Sequence, residues 1–240
     1  TGQFPGSFAR GELYNSDPVS GDARLCGTTA SLCGIEKAAY EQDEAALQAA
    51  IRLDLMLHAY MFTQSGIPVI YSGDEIGQEN DYSYHQEPDK REDSRYLHRG
   101  QFPWEQAEKR TEEGSVPQQL FTGIGTLEKI RKSLPVFCSD ADVWTIDTWD
   151  DSILGLVRAR GEEKLVALFN FHEGERIAWI NEDDGLYQDL ITGEKMEAKG
   201  VKMPGHGVYW LLKQTADHEP EEETKPEKEQ EPEPEEEAKP

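Results

Sequence analysis

The feature that most constrains the fold is a periodic segment that runs directly into an unbroken apolar stretch. Between residues 43 and 63, apolar side chains recur at spacings of three and four, which predicts an amphipathic helix. Asp43 suits its N-terminal turn, and Gly66 followed by Pro68 predicts its end. Residues 67–71 then show no alternation, which is typical of a strand buried on both faces of a parallel sheet. A helix followed by such a strand predicts one unit of an α/β fold.

The segments on either side of this unit have a different character. Residues 1–40 are rich in Gly, Ser, Asp and Thr, which predicts a long surface loop feeding a helix. Residues 78–115 are polar and aromatic without a sustained period, and a connection of that length in a compact protein is either functional or disordered. Its aromatic side chains favour an ordered loop. Residues 117–132 return to a helical pattern.

The pattern changes again at Val143, where short β-rich runs alternate with Gly, Asp and Glu turns. This pattern predicts an antiparallel all-β module, to which we assign residues 136–213. We expect its tryptophans to lie in the core rather than on a carbohydrate-binding surface; they are Trp144, Trp149, Trp179 and Trp210. Residues 214–240 are mainly Glu, Pro and Lys without a large apolar side chain, which predicts a disordered acidic tail.

Charge and composition limit the partners. A formal net charge of −24 would repel phosphate backbones, so we expect no nucleic-acid binding. No apolar run approaches the roughly 18 residues of a spanning helix, and no signal peptide is visible. We therefore expect no membrane partner and a cytoplasmic protein, with secretion left open. The 3 cysteines fit no zinc or redox spacing, and we expect no metal and no cofactor.

Four passages of the first hundred residues together carry a resemblance to a known family. They are Pro-Gly-Ser-Phe-Ala-Arg-Gly at 5–11, Gly-Asp-Ala-Arg-Leu-Cys-Gly-Thr at 21–28, residues 66–77 ending Gly-Asp-Glu-Ile-Gly, and Glu-Asp-Ser-Arg-Tyr-Leu-His-Arg at 92–99. The chain resembles glycoside hydrolase family 13, the α-amylase superfamily, over about residues 1–213. The third passage is typical of the whole superfamily, whereas the fourth, with the Arg24 loop before it, is similar to a loop characteristic of amylosucrases.

The resemblance implies an architecture that combines α/β and all-β parts. Residues 1–135 would be the C-terminal part of a (β/α)8 TIM barrel, after the seventh strand and through the eighth strand and last helix. A small antiparallel β-sandwich at 136–213 and the disordered tail at 214–240 would follow. A complete barrel needs roughly 250 residues, so the upstream part of the barrel would be a missing partner of this chain.

The resemblance also implies where the chemistry lies. Family enzymes use a nucleophilic Asp, an acid/base Glu and a transition-state-stabilising Asp at the ends of the fourth, fifth and seventh strands. Because the match begins after the seventh strand, we expect none of the three in this chain, which would be inactive alone. The pairs Asp74–Glu75 and Glu92–Asp93 are adjacent, so on a strand their side chains point to opposite faces and are not expected to replace them.

Two arginines are the first candidates for substrate binding. The resemblance implies that Arg95 pairs with an acid of an upstream loop and closes the floor of a glucosyl pocket. A guanidinium fork suits such bidentate pairing, but Arg95 could equally hold its own loop through Glu92 or Asp93. Arg24 would contribute to the acceptor side of the pocket or be an ordinary surface charge.

The remaining candidates lie in the same two loops. Asn80 and Asp81 are expected to contact sugar hydroxyls. Residues expected to support the pocket are Asp74, Glu75, Asp93 and His98. The acidic pair at 74–75 would follow the eighth strand, on the barrel face where active sites form.

The reaction implied for the parent enzyme is glucosyl transfer from sucrose to an α-glucan or to water by double displacement, so sucrose or an α-glucan is the expected ligand. An α-glucosidase, a sucrose hydrolase or a trehalose synthase is the alternative. Glucosidase relatives usually carry Arg-Thr-Pro-Met-Gln-Trp after the eighth strand, whereas residues 99–104 read Arg-Gly-Gln-Phe-Pro-Trp, which favours the amylosucrase group. A non-catalytic carbohydrate-binding or interaction module is the third possibility.

Overall fold

The computed structural model describes residues 6–182 and 185–214. Its helices are α1 (Thr29–Cys33), α2 (Ile35–Glu41), α3 (Glu44–Thr63), α4 (Trp104–Glu108) and α5 (Val116–Ser133). Its strands are β1 (Glu12–Tyr14), β2 (Arg24–Cys26), β3 (Asp142–Ile146), β4 (Ile153–Arg160), β5 (Glu163–Asn170), β6 (Arg176–Ala178), β7 (Leu186–Asp189), β8 (Lys195–Glu197), β9 (Val201–Met203) and β10 (Val208–Lys213). Except for residue 214, the predicted tail lies outside the described residues. Among the described residues, no helix is long and apolar enough to cross a bilayer.

The two long helices confirm the periodic pattern. In α3, the carboxylate of Asp43 accepts a hydrogen bond from the backbone N–H of Ala46 at 3.0 Å and caps the helix. In α5, Ser115 caps the backbone N–H of Gln118 at 3.2 Å, and Pro117 occupies the first turn, where its missing N–H costs nothing. The two helices pack against each other and form one layer.

The β-rich runs form an antiparallel sheet, as predicted. Six strands pair in the order β3-β4-β5-β10-β7-β8, and a separate pair, β6-β9, lies against the sheet. The central strand β5 pairs with β4 on one side and β10 on the other, and its residues from Leu165 to Asn170 are all buried. Such a strand, covered on both faces, carries a continuous apolar run.

The two faces of the six-stranded sheet are covered by different layers. On one face, Phe62 of α3 and Leu127 of α5 pack with Trp210 of β10. On the other face, Val166 of β5 packs with Met203 of β9. The order of layers is therefore helices, large sheet and small sheet, and the indole N–H of Trp210 donates to Thr63 Oγ1 at 3.0 Å across the first boundary.

A buried cation also joins the helical layer to the sheet. Arg158 of β4 is fully buried, and its guanidinium donates to the carbonyl oxygens of Thr63 at 2.8 Å, Val136 at 2.9 Å and Cys138 at 2.8 Å. Burial lowers its pKa, because removal from water disfavours the charged form. The three carbonyl dipoles compensate for the lost hydration and link the end of α3 to the sheet.

The predicted eighth barrel strand is wrong for this structure. Residues 67–71 have no regular secondary structure. Ile67 and Val69 are 90% and 74% exposed, which is far from the two-faced burial that their pattern predicts. The physical reason is that, among the described residues, no parallel strand lies beside this segment to complete its backbone hydrogen bonds.

The predicted N-terminal loop is also wrong in part, because residues 12–41 contain the β1-β2 hairpin and helices α1 and α2. These elements are short, and local caps define them. Thr28 caps α1 by accepting from Ser31 N, and Gly34 ends it with φ +100°. The long loop at 78–115 is ordered, as its aromatics favoured, through α4 and the short 3-10 turns Tyr82–Gln86, Ser94–His98 and Lys109–Thr111.

The prediction of core tryptophans holds for Trp210 alone. Trp144, Trp149 and Trp179 are exposed. Trp144 lies on β3, which is an edge strand of the large sheet. Trp149 lies in the turn after β3, and Trp179 follows the short strand β6. At the edge of a sheet or in a turn, no neighbouring layer covers these side chains, so they remain exposed even though the sequence pattern is typical of a strand.

Candidate functional site

Several of the predicted site residues gather around the β1-β2 hairpin and the loop that packs against it. Ser94 Oγ donates to the carbonyl oxygen of Leu13 at 3.0 Å. Glu12 accepts from the hydroxyl of Tyr84 and lies 2.8 Å from Nε2 of His85. These contacts hold residues 12–26 and 73–99 together, and we refer to the surface that they form as the hairpin–loop face.

Arg95 is held by its own loop. Its Nε lies 2.8 Å from Oδ1 of Asp93 and its Nη2 lies 2.7 Å from Oδ2, so the pair is bidentate. The guanidinium also lies over the ring of Tyr14, 4.7 Å from its centroid. The hydrogen bond from Arg95 lowers the pKa of Asp93 to about 2. Of the two pairings open from the sequence, this chain adopts the one within the loop.

Arg24 lies on the same hairpin, directly opposite Tyr14 in the β1-β2 register. Directly paired residues of antiparallel strands project from the same face, so Arg24 shares a face with the ring that carries Arg95. Arg24 is exposed and forms no ion pair among the described residues. The hairpin therefore presents Arg24 on the same face as the Tyr14 ring, against which Arg95 packs.

Asn80 connects three separate segments. Its side-chain carbonyl accepts from the backbone N–H of Thr28 at 2.9 Å, and its amide donates to the carbonyl oxygen of Arg10 at 3.1 Å. Its backbone N–H donates to Ser31 Oγ at 3.0 Å. The amide side chain is thus occupied in holding the hairpin and α1 to the loop.

Asp81 fastens the two halves of the long loop. Its backbone N–H donates to the carbonyl oxygen of Leu97 at 2.8 Å, and its carboxylate caps the next turn through Ser83 N at 2.9 Å. Gly100 lies so close that an added Cβ would come within 2.7 Å of Asp81 Oδ2. A side chain at position 100 would therefore displace this carboxylate.

The acidic turn that follows residues 67–71 points partly into the protein. Glu75 accepts from the backbone N–H of Gly73 at 2.8 Å and closes the turn. Asp74 Oδ2 lies 3.9 Å from Nε2 of His58, whose Nδ1 lies 2.9 Å from Oδ1 of the buried Asp54. Burial raises the pKa of Asp74. This geometry gives both acids contacts that stabilise the turn and its junction with α3.

His98 lies at the end of the exposed apolar segment. Its ring meets that of Tyr71 edge-on, with centroids 6.1 Å apart. Its Nδ1 is buried and has no hydrogen-bond partner among the described residues. Burial and the charge of Arg99 lower its pKa, which favours the neutral imidazole at neutral pH.

Sequence reasoning did not identify Glu12 or Asp54. Glu12 lies in a three-residue strand that is too short to show a period, and its partners are more than 70 residues away. Asp54 lies four residues before His58 on α3, so the helical spacing could have indicated their contact.

Two open clefts of about 600 and 690 Å³ flank residues 67–71, and α5 lines both. Glu75 lines the larger one, whereas Arg24 and Arg95 line neither. Within the described ranges, no group of three or more His, Cys, Asp and Glu side chains is placed to hold a metal ion.

Comparison with known proteins gives a likeness in fold. No family model matches the sequence. AmyP in complex with maltose is 18% identical with a TM-score of 0.55, and the match covers 69% of this chain and 35% of that one. Trehalose-6-phosphate hydrolase (TreA) of Bacillus licheniformis is 19% identical with a TM-score of 0.53, covering 68% and 39%. The chain thus spans little more than a third of these structures and shares the fold of that portion.

Proposed function

We propose that this chain is the C-terminal part of an enzyme of glycoside hydrolase family 13 that acts on α-glucosides, with amylosucrase-type glucosyl transfer from sucrose as its reaction. One observation carries the proposal. The two passages that resemble amylosucrases, around Arg24 and Arg95, lie far apart in sequence but meet at the hairpin–loop face through Tyr14. Two loops that serve one pocket must come together in this way.

The likeness in fold supports the same class of enzyme. AmyP was solved with maltose, and a variant of it was solved with maltotriose. TreA is a trehalose-6-phosphate hydrolase. All three names refer to sugars or to enzymes that cleave them, which agrees with an α-glucoside as the substrate of the parent of this chain.

The free edge of the Arg95 guanidinium supports a pocket-closing role in addition to its contacts with Asp93 and Tyr14. The Nε and Nη2 of Arg95 donate to Asp93, while Nη1 of Arg95 makes no hydrogen bond among the described residues. In the complete enzyme, that remaining edge of the guanidinium would bind an upstream carboxylate or a sugar hydroxyl. Asp93 and the ring of Tyr14 would hold the guanidinium in position and so reduce the entropy lost on binding.

The catalytic acids of the proposed reaction would lie in the upstream barrel. There, one carboxylate would attack the anomeric carbon as the leaving fructose is protonated, and a glucan hydroxyl or water would then release the glucosyl unit. This chain would contribute Arg24 on the acceptor side, Arg95 at the closed end of the pocket and the β-sandwich behind them.

The test is sucrose turnover by the full-length enzyme with its upstream coding sequence. We expect Arg95→Ala to lower kcat/KM by about a hundredfold or more, because the charge that closes the pocket is lost. The matched control is Arg91→Ala, which removes another exposed arginine of the same loop, paired with Glu92. Turnover by the Arg95 variant that is close to that of the control would overturn the proposed role.

The second candidate function is hydrolysis, which the likeness to TreA favours. Product analysis distinguishes hydrolysis from glucosyl transfer. Polymer and free fructose identify the transferase, whereas equal amounts of glucose and fructose identify hydrolysis. Full-length protein that turns over neither sucrose nor any α-glucoside would overturn both and leave a binding module.

A further inference from the structure

Two exposed tryptophans of the β-sandwich have neighbouring backbones. Trp149 and Trp179 are 70% and 56% exposed. The backbone N–H of Trp179 donates to the carbonyl oxygen of Thr148 at 3.0 Å, which places residues 149 and 179 next to each other. Exposed indoles that are grouped in this way are unusual on a protein surface and mark binding sites.

The backbone beneath these side chains is rigid. Thr148 is buried, and its hydroxyl lies within hydrogen-bond distance of the carbonyl oxygens of Ile153, at 2.8 Å, and Asp150, at 3.1 Å. The indole of Trp179 lies against Gly200, where an added Cβ would come within 3.1 Å of two ring carbons. One side of the ring is therefore fixed against the protein, while more than half of the side chain remains in solvent.

Trp149 occupies a costly backbone conformation. Its φ is +59°, in the left-handed region that favours Gly and Asn and disfavours large side chains. Its N–H is held by Oδ1 of Asp147 at 2.8 Å. Strain of this kind is concentrated at functional sites, and here its effect is to project an indole from the turn beside Trp179.

A third exposed tryptophan extends the surface. Trp144 of β3 pairs directly with Val157 of β4 and so shares its face of the large sheet. Val157 packs in the core under the β6-β9 pair, which is the layer that carries Trp179. Trp144 and Trp179 thus belong to the side of the sheet opposite α3 and α5.

Acidic side chains surround the pair and indicate the kind of ligand. Asp147, Asp150 and Asp151 lie in the turn that contains Trp149, and Arg176 lies 3.7 Å from Asp150. Carboxylates accept hydrogen bonds from hydroxyl groups and repel anions. Aromatic faces with acceptors beside them therefore suit a neutral, hydroxyl-rich chain, and a second copy of a protein with net charge −24 would be repelled.

We propose that Trp149 and Trp179 form a surface carbohydrate-binding site on which successive sugar rings of an α-glucan stack, with carboxylates of the turn accepting from the sugar hydroxyls. The site itself is inferred from the exposed indoles, and the choice of an α-glucan over other glucans rests on the proposed function. It would hold polymer on the β-sandwich, away from the hairpin–loop face.

The test is binding of maltoheptaose to the 240-residue chain, measured by isothermal titration calorimetry with cellohexaose as the comparison ligand. We expect Trp149→Asn and Trp179→Ala each to raise Kd by about tenfold and the double variant by about a hundredfold. Asn tolerates the left-handed conformation, so the fold should persist, which circular dichroism would check. The control is Trp104→Ala, which removes an indole that is also exposed but lies on α4.

Each outcome bears on the proposal. Weaker binding by the Trp149 and Trp179 variants, with no change for the Trp104 variant, would support it. Absence of maltoheptaose binding, or an unchanged Kd in the double variant, would overturn it. Preference for cellohexaose would overturn the α-glucan assignment. Full-length enzyme that lacks turnover, while the double variant still loses binding, would overturn the proposed function and leave this site in place.

Discussion

Two apolar runs of this chain look alike in sequence and fold differently. Residues 165–169 and 67–71 both lack alternation, as strands buried on two faces do. The first run lies in the centre of the six-stranded sheet and is completely buried. The second lies between two open clefts, where Ile67, Val69 and Tyr71 are exposed and Ile70 packs against the core. The same pattern therefore leads to opposite environments within one molecule.

The difference lies in the neighbours that each run finds. β5 has β4 and β10 on its two edges, and both belong to the β module. Residues 67–71 have no such neighbours among the described residues. A continuous apolar run thus predicts a strand that is buried on both faces. Whether the segment forms that strand depends on whether other parts of the chain provide its neighbouring strands and covering layers.

The largest expected effect comes from truncating a side chain of the buried run. Phe169 is fully buried, packs in the core shared with the helices and meets Tyr60 edge-on, with ring centroids 5.6 Å apart. Phe169→Ala should lower the free energy of unfolding by about 3–5 kcal/mol, through lost burial and the cavity left behind. Urea denaturation followed by circular dichroism measures this, and a loss below about 1 kcal/mol would mean that the run is less enclosed than the structure has it.

An intermediate, pH-dependent effect is expected at His58, which joins α3 to the turn after the exposed run. Burial lowers its pKa, but the hydrogen bond and charge of Asp54 and the charge of Asp74 outweigh this, and the net pKa is raised. A raised pKa means that the folded state holds the proton more tightly. The stabilisation is present below the unfolded pKa of about 6.5 and is lost as pH rises through the folded pKa.

Replacing His58 should therefore matter most at low pH. His58→Gln should cost about 1–3 kcal/mol at pH 5.5, because the buried Asp54 loses its charged partner, and less at pH 8.5. Burial also raises the pKa of Asp74, so this group too stabilises the folded state less as the pH rises. For Asp74, that loss of stability begins near pH 4, well below the range of His58. The buried Cys33 also faces this cluster, and burial raises its pKa as well. Urea midpoints of both proteins from pH 5.5 to 8.5 check this, and parallel profiles would exclude His58 as the titrating group.

The smallest effect is expected at the exposed run. Ile67 is 90% exposed, so Ile67→Ala should change the free energy of unfolding of this chain by no more than about 0.5 kcal/mol. In the full-length enzyme that we propose, the same substitution should be clearly destabilising if an upstream strand covers the segment. If Ile67→Ala has an equally small effect on the free energy of unfolding of both proteins, residues 67–71 do not require partners on both faces as residues 165–169 do.

Sequence reasoning predicted what depends on neighbouring residues. The periods of α3 and α5 and the β-rich runs were sufficient to predict both helices and the antiparallel module. Asp93 and Arg95 are two positions apart, and their pairing was one of the alternatives open from the sequence. What failed depends on distant partners. Asn80 binds segments 49 to 70 residues away, and the exposure of Trp144 follows from the edge position of β3.

The buried guanidinium of Arg158 has a consequence for modularity. The predicted domain boundary lies between residues 135 and 136, but the carbonyl of Thr63 that receives this cation belongs to the first part. Excising the sandwich there would leave a charge in an apolar interior with one of its acceptors removed. We thus expect chimaeras that join the sandwich to another helical layer at this junction to fold poorly. Two changes would avoid this: an apolar residue at position 158, or a new helical layer that presents a carbonyl oxygen at the place of Thr63.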